Sequence, residues 1–411
     1  MPTETNQAIV KLAPDQPLTS QQEELVERVI AFTNHHLTSK SLPAVFTIYG
    51  EAGTGKSVVL THLFNQIQKL AKTPHQPLTG TANYFLVNHP EILKVYKEIA
   101  GQQAALLKKN FMRPTSFINQ LDKQQKNVDV VVIDEAHLLL SKPDHYNNFY
   151  YENQLAEIIK RARVVILVFD RHQVLRMKSL WTVDRLNVLT NQYPHASFEL
   201  THQFRMQAPD ELVAWLNRFT DGEITPLPKN ARDGYDFRIF DNAEQMRQAI
   251  VKKDHEVGLS RILSTSGYPS TLDGGKHYIT EGRFRMPWDQ YNYTATPWAE
   301  IPQTINEVGS IYTCQGFDLN YAGIIIGPIF SQSPGTNHLQ VNLDRFTDTE
   351  AFKRRADLTD PVEIENLKKQ MLYNALNVIL KRGVQGTYLY AHDPLLRATL
   401  FKLYRRLVER K

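Results

Sequence analysis

The sequence predicts an α/β fold in two domains, each built on a parallel sheet. Three observations lead there. The chain has 411 residues, too many for one ordinary core and enough for two. Its apolar residues gather in short unbroken runs, the pattern of strands covered on both faces. Helical stretches separate those runs, giving the strand–helix–strand order of parallel sheets.

In the first half, Ala44–Tyr49 is an apolar run ending at a glycine, and Ser57–Ala71 reads as an amphipathic helix. Runs at Tyr84–Val87, Val128–Ile133 and Val164–Phe169 supply three more strands. A second set follows, at Arg238–Phe240, Ile305–Tyr312, Ile324–Ile326 and Thr387–Tyr390, with a long helical stretch at Asp360–Leu380. The two domains are expected at residues 1–195 and 196–411. The stretch Ser264–Pro302, rich in Gly, Pro, Tyr and Trp, is expected as irregular loops and short strands on the second domain. The tail, Leu395–Lys411, reads as a basic amphipathic helix that packs one face and leaves the other solvated.

Composition narrows the class. Hydrophobic residues make up 42% and charged residues 22%, the proportions of a soluble globular chain. No run approaches the about 18 apolar residues of a membrane span, and the N-terminus lacks the basic-then-apolar pattern of a signal peptide. The single cysteine, Cys314, excludes an internal disulfide framework and a cysteine-cluster zinc site. A cytoplasmic protein with no membrane partner is expected. The net charge of +4 suits a polyanionic partner without requiring one.

Gly50-Glu51-Ala52-Gly53-Thr54-Gly55-Lys56-Ser57 fits the phosphate-loop pattern, between a buried strand and a helix N-terminus. Glycines let backbone N–H groups curl around phosphate oxygens, aided by the positive end of the helix. Gly50, Gly53, Thr54 and Gly55 would cradle the phosphates of ATP. Lys56 would reach the β- and γ-phosphates, and the Ser57 hydroxyl would ligate Mg²⁺. The strand Val130–Ile133 ends in Asp134-Glu135-Ala136-His137. A carboxylate at the end of a buried strand points into the crevice where ligands bind. Asp134 would hold Mg²⁺, and Glu135 would polarise the attacking water. His137 reads equally as a coupling residue or as a packed structural histidine.

These motifs occur both in AAA+ ring or switch ATPases and in helicase-like enzymes with tandem RecA domains, so later residues must discriminate. The strand Val164–Phe169 leads into Asp170-Arg171-His172-Gln173, where Gln173 is placed to touch the γ-phosphate or its water. Then follow Leu200-Thr201-His202-Gln203-Phe204-Arg205, Tyr312-Thr313-Cys314-Gln315-Gly316-Phe317-Asp318 and Asn377-Val378-Ile379-Leu380-Lys381-Arg382-Gly383. In order and position they resemble elements of superfamily 1 helicases. An early Leu18-Thr19-Ser20-Gln21-Gln22 resembles their adenine-reading glutamine motif, with Gln22 in register. Phosphoryl transfer needs positive charge at the γ-phosphate in the transition state. Arg205 and Arg382 are the candidates, supplied as the two domains close, and Gln315 and Gly316 would face nucleotide and polymer together.

The phrases FMRPTSFINQL, VVVIDEAHLL, LTHQFRM, INEVGSIYTCQGFDLNYAGIIIGP and LKRGVQGTYLYA resemble the Schlafen-like DNA/RNA helicase-domain group of bacterial and phage ATPases. The likeness runs from about residue 18 to 400. It implies two tandem RecA-like domains, ATP and Mg²⁺ as cofactors, and single-stranded DNA or RNA as partner. Members usually carry Thr before the late arginine, where this chain has Lys381, expected to add a surface charge. Some relatives carry a fused nuclease, for which no room is expected here. Tyr84–Pro90, with Asn88 and His89, and Arg113–Phe117 are candidate first-domain contacts to nucleic acid. Only about 45 residues separate the second strand from Asp134, and about 65 separate Gln315 from Arg382. Large accessory domains do not fit there, so weak or absent strand separation is expected. The competing readings are an ATPase switch subunit acting on a protein partner, as in defence or mobile-element systems, and an AAA+ loader that hydrolyses only when assembled.

Overall fold

A computed structural model describes residues 8–39, 42–51, 53–201, 205–270, 275–290, 292, 294, 296–314, 317–348 and 351–409. The chain divides into two compact units, at residue 203/204.

The first unit runs α1 (Ala8–Lys11), α2 (Ser20–Thr38), β1 (Ala44–Gly50), α3 (Lys56–Ala71), β2 (Asn83–Val87), α4 (Pro90–Gln102), β3 (Phe111–Met112), α5 (Pro114–Gln124), β4 (Val128–Asp134), α6 (Gln154–Arg161), β5 (Ala162–Phe169), α7 (Val183–Thr190) and β6 (His195–Leu200). All six strands are parallel, in the order β3-β2-β4-β5-β1-β6. The apolar residues of β1, β4 and β5 are buried, which is why they read as unbroken runs rather than alternating ones. From β1 the chain moves toward β2, and after β5 it crosses to β6 on the other side of β1. The carboxyl end of β1 therefore sits at a reversal of strand order, where open α/β sheets place ligands.

The second unit runs α8 (Asp210–Thr220), β7 (Asp236–Ile239), α9 (Ala243–Val257), β8 (Ser260–Ser264), β9 (His277–Glu281), β10 (Phe284–Trp288), β11 (Val308–Gly309), α10 (Ile311–Cys314), β12 (Leu319–Ile326), β13 (Phe330–Gln332), β14 (Leu339–Val341), α11 (Pro361–Leu380), β15 (Gly383–Ala391) and α12 (Pro394–Val408). Its main sheet is ordered β7-β15-β12-β8-β11-β10-β9. Only the β9–β10 hairpin is antiparallel in it, and β13–β14 form a separate antiparallel pair.

The α/β class with mostly parallel sheets is as the sequence predicts. Three details differ. β6 starts where the first domain was expected to end, yet pairs with β1, so the first unit extends past residue 195. β8 was not foreseen, because Ser260-Arg261-Ile262-Leu263-Ser264 carries only two apolar residues. Its polar members are buried and satisfied instead: Arg261 donates to Thr304 Oγ1, Asp254 Oδ1 and the Ile301 carbonyl. The strand expected over Ile305–Tyr312 shrinks to Val308–Gly309, between a 3₁₀ turn at Pro302–Asn306 and α10. Gly309 permits that break, since a Cβ there would meet the Trp298 ring at 2.6 Å and Thr313 Oγ1 at 2.7 Å. The short strands expected within Ser264–Pro302 are present as the β9–β10 hairpin, whose Ile279, Phe284, Met286 and Trp288 are buried. At the tail, α12 buries Leu396, Leu400 and Leu407 along one face.

Candidate nucleotide site

Three strands of the first sheet deliver their carboxyl ends to one place. From β1 the chain passes through a loop with Gly53 at φ 92° and Gly55 at φ 77°, a left-handed region open to glycine. Gly50 packs tightly as well, for a Cβ there would lie 2.8 Å from Thr54 Oγ1. Gly55 then caps α3 without a side chain. The first N–H groups of a 16-residue helix are thereby left for an outside acceptor, the arrangement that binds phosphate.

Lys56 lies at the mouth of this loop, its Nζ donating to the carbonyls of Gly50 and Glu51 and to Asp170 Oδ2 at 3.2 Å. Asp170, at the end of β5, also accepts from Gln173 Nε2 at 2.7 Å and from the His172 N–H at 3.0 Å. Burial alone would raise this carboxyl, but the Lys56 ammonium and the Gln173 amide more than offset it and hold it at about 2. Sequence reasoning singled out Gln173 here and passed over Asp170. The missed signal was a charged residue directly after an apolar run, a cost that folding tolerates only when the charge is paired.

Asp134 closes β4. Its Oδ1 accepts the Glu135 N–H at 2.9 Å, and its Oδ2 accepts the Tyr96 hydroxyl from α4. Ser57 reaches both the Asp134 carboxylate and the Tyr96 hydroxyl. Burial and the adjacent Glu135 carboxylate push Asp134 up to about 6. Tyr96 was not foreseen, because nothing in an amphipathic helix marks the one buried residue that turns toward a carboxylate. Glu135 is left-handed at φ 53°, an arrangement costing about 1–3 kcal/mol that gathers at functional sites. Its Oε2 lies 3.1 Å from Nε2 of the fully buried His137. Burial lowers His137 to about 4, so the ring is neutral at neutral pH.

Gln22 meets this site too. Its Nε2 lies 3.5 Å from the Thr54 carbonyl, while its Oε1 accepts the Thr19 N–H and completes the capping box of α2. Gln21 instead binds the end of β6, at the Glu199 carbonyl and Thr201.

In the second unit, Arg205 pairs with Asp318, and Arg382 donates to the Phe317 carbonyl at 3.1 Å. Both guanidinium groups act on the buried Cys314 thiol, which burial raises and they lower. The fold thus brings together residues far apart in sequence. Lys381 is 2% exposed, so the surface charge expected there is instead a buried one. Gln315 and Gly316, along with Ala52, His202, Gln203 and Phe204, lie outside the described residues.

The segments expected to touch nucleic acid make internal contacts. His89 caps α4 by accepting the Ile92 N–H, and Asn88 links the Leu138 carbonyl to Arg113. Phe117 is buried against the Tyr84 ring.

A glycine loop, an uncapped helix start and carboxylates at neighbouring strand ends define a P-loop α/β protein. Residues 43–393 match the family described as Schlafen group 3, DNA/RNA helicase domain, and the chain belongs to that family. An uncharacterized protein of Saccharomyces cerevisiae is 38% identical over 430 residues, covering 98% of this chain and 94% of the other. The family likeness is therefore not to bacterial and phage proteins alone, as the sequence phrases had implied. Among solved structures, the Pif1 helicase of Candida albicans is 12% identical and covers 96% of this chain and 98% of its own, at a TM-score of 0.37. The Bacteroides Pif1 helicase, in complex with ADP-AlF3 and ssDNA, is 12% identical and covers 91% and 92%, at 0.35. Superpositions this loose transfer no residue's role. No helix among the described residues is long and apolar enough to cross a membrane.

Proposed function

We propose that the chain is an ATP-dependent nucleic-acid motor, a superfamily 1-like helicase or translocase that hydrolyses ATP between two RecA-like domains. The observation that carries this is the convergence of Lys56, Asp134, Glu135 and the Asp170–Gln173 pair around an uncapped helix start. The N–H groups of residues 53–57 would take the phosphates, with Lys56 released from Asp170 to meet them. Ser57 and Asp134 offer the hard oxygens that Mg²⁺ prefers. Among the described residues no three His, Cys, Asp or Glu side chains form a metal cage, which suits an ion that takes its remaining ligands from phosphate and water. When bound, Mg²⁺ neutralises charge on the phosphates. Glu135 orients the attacking water, with the neutral His137 ring packed 3.1 Å from its carboxylate. Gln173 reads the γ-phosphate, Gln22 the adenine edge, and Arg205 and Arg382 the transition-state charge. Gln315 and Gly316 complete the nucleotide contacts in this reading.

Steady-state ATP hydrolysis by the purified chain, with and without single-stranded DNA and RNA, tests the motor directly. Stimulation by one polymer is expected, and it names the substrate. Hydrolysis indifferent to both polymers, yet lost in Lys56→Ala, favours a switch acting on a protein partner. Separation of a tailed duplex by the chain alone should be weak or absent, and robust unwinding in that assay would contradict this. The Tyr96 contact gives a further expectation. Tyr96→Phe removes one donor from Asp134 without changing shape, and loss of such supporting bonds lowers metal affinity about tenfold or more. A Mg²⁺ titration of hydrolysis should shift to higher concentration by about that factor, and an unshifted curve would remove Tyr96 from the metal's support.

A further inference from the structure

The second unit carries a basic cavity that the nucleotide site does not use. Its volume is about 570 Å³, and it is lined by Glu244, Arg247 and Gln248 of α9, by Arg283, Arg285 and Met286 around β10, and by Asn306. The β9–β10 hairpin makes one wall. Phe284, Met286 and Trp288 turn inward, strand alternation puts Arg285 on the other face of β10, and Arg283 stands in the turn before the strand, both arginines exposed. The Arg285 guanidinium stacks over the Tyr278 ring, 3.8 Å from its centre. That stacking holds the group flat with its N–H edges free to point away from the ring. The opposite wall is the start of α9, where Glu244 accepts from Arg247 and Gln248.

Three arginines therefore line the cavity with one carboxylate, and that carboxylate is already committed to Arg247. Among the described residues neither Arg283 nor Arg285 makes an ion pair. Charges on a sheet edge also discourage edge-to-edge pairing, but that role needs no convergence of a helix, a hairpin and two side-chain amides on one hollow. Arginine forks match phosphate oxygens in pairs, and amide N–H groups add neutral donors beside them.

We propose that this cavity binds the phosphate backbone of a single-stranded nucleic acid, gripping the polymer through Arg283, Arg285 and Arg247. The proposal rests on the reading that the chain acts on nucleic acid, but not on hydrolysis. It locates a backbone contact on the second unit, made by elements other than the motifs that suggested the function. Such a contact reads no sequence; it fixes register and orientation.

The test is fluorescence anisotropy with a labelled single-stranded DNA or RNA oligonucleotide, across a salt series, on the full chain and on Arg283→Gln/Arg285→Gln. Loss of two phosphate contacts should weaken binding about tenfold or more and flatten the log Kd against log salt slope by about 2. Polymer-free ATP hydrolysis and the melting temperature should stay unchanged, because both side chains are exposed. Wild-type binding with an unaltered Kd and slope in the variant would overturn the cavity alone. A wild-type chain that binds neither polymer would overturn the motor reading with it. Displacement of the oligonucleotide by micromolar pyrophosphate would show a small phosphate ligand as the occupant and would also overturn the polymer site.

Discussion

Lys56→Ala is expected to bring ATP hydrolysis to background and, separately, to destabilise the nucleotide-free first unit. The second effect follows from the pair it breaks. Lys56 is 7% exposed and Asp170 1%, so removing the lysine leaves a buried carboxylate with only the Gln173 amide and the His172 N–H. Breaking a buried pair from one side costs about 3 kcal/mol or more. For a unit of this size, that corresponds to a melting temperature lower by about 10 °C. Adding Asp170→Asn should recover most of the loss, since an amide carries no charge to strand, while hydrolysis stays absent. The double-mutant cycle thus separates a structural role of the pair from a chemical one. If Lys56→Ala melts with the wild type, the pair contributes nothing to the resting state and the account of how Lys56 is held is wrong.

The same pair sets a pH dependence. Asp170 is depressed from 3.8 to about 2 in the folded chain, so the unfolded chain binds its proton first as pH falls. Its contribution, about 2 kcal/mol, is present above about pH 4 and is lost between there and pH 2. The stability gap between wild type and Asp170→Asn should narrow through that window. A gap independent of pH would argue against an ionised Asp170.

How much of this was legible in the sequence follows from what each signal depends on. The phosphate loop was legible because its chemistry is local: glycines, a lysine and a hydroxyl at fixed spacing. Asp134 and Glu135 were legible because a buried apolar run points at them. Asp170 and Tyr96 were not, since their importance depends on which strand lies beside which. β5 lies next to β1 in the sheet, which brings Asp170 to Lys56 across 114 residues, and α4 folds back so that Tyr96 meets Asp134. β8 was hidden for a related reason. Its polar residues are paid off by Asp254, Thr304 and Ile301, partners that no local window contains. The arginines were readable only as an ordered set, and their common neighbourhood around Cys314 and Phe317 is a product of tertiary structure.

That neighbourhood frames the second large effect. Arg382 is 1% exposed and ties the start of β12 to the start of β15: its side chain donates to the Phe317 carbonyl, and its own carbonyl accepts the Leu319 N–H. A purely structural arginine would look the same, so Arg382→Ala alone decides little. It removes packing, leaves the Phe317 carbonyl without that donor at about 1–3 kcal/mol, and would lower activity under either reading. Arg382→Gln discriminates. Its amide can still donate to the carbonyl and fill much of the space, but it brings no positive charge to a transferring phosphoryl group. Under the proposed function, Arg382→Gln should melt close to the wild type and bind a nonhydrolysable ATP analogue with similar affinity. Its hydrolysis at saturating ATP and polymer should nevertheless fall about 10³-fold, the usual worth of a transition-state arginine. A Gln variant that folds, binds and turns over normally would assign Arg382 to the joint between two strands and leave Arg205 as the candidate cation.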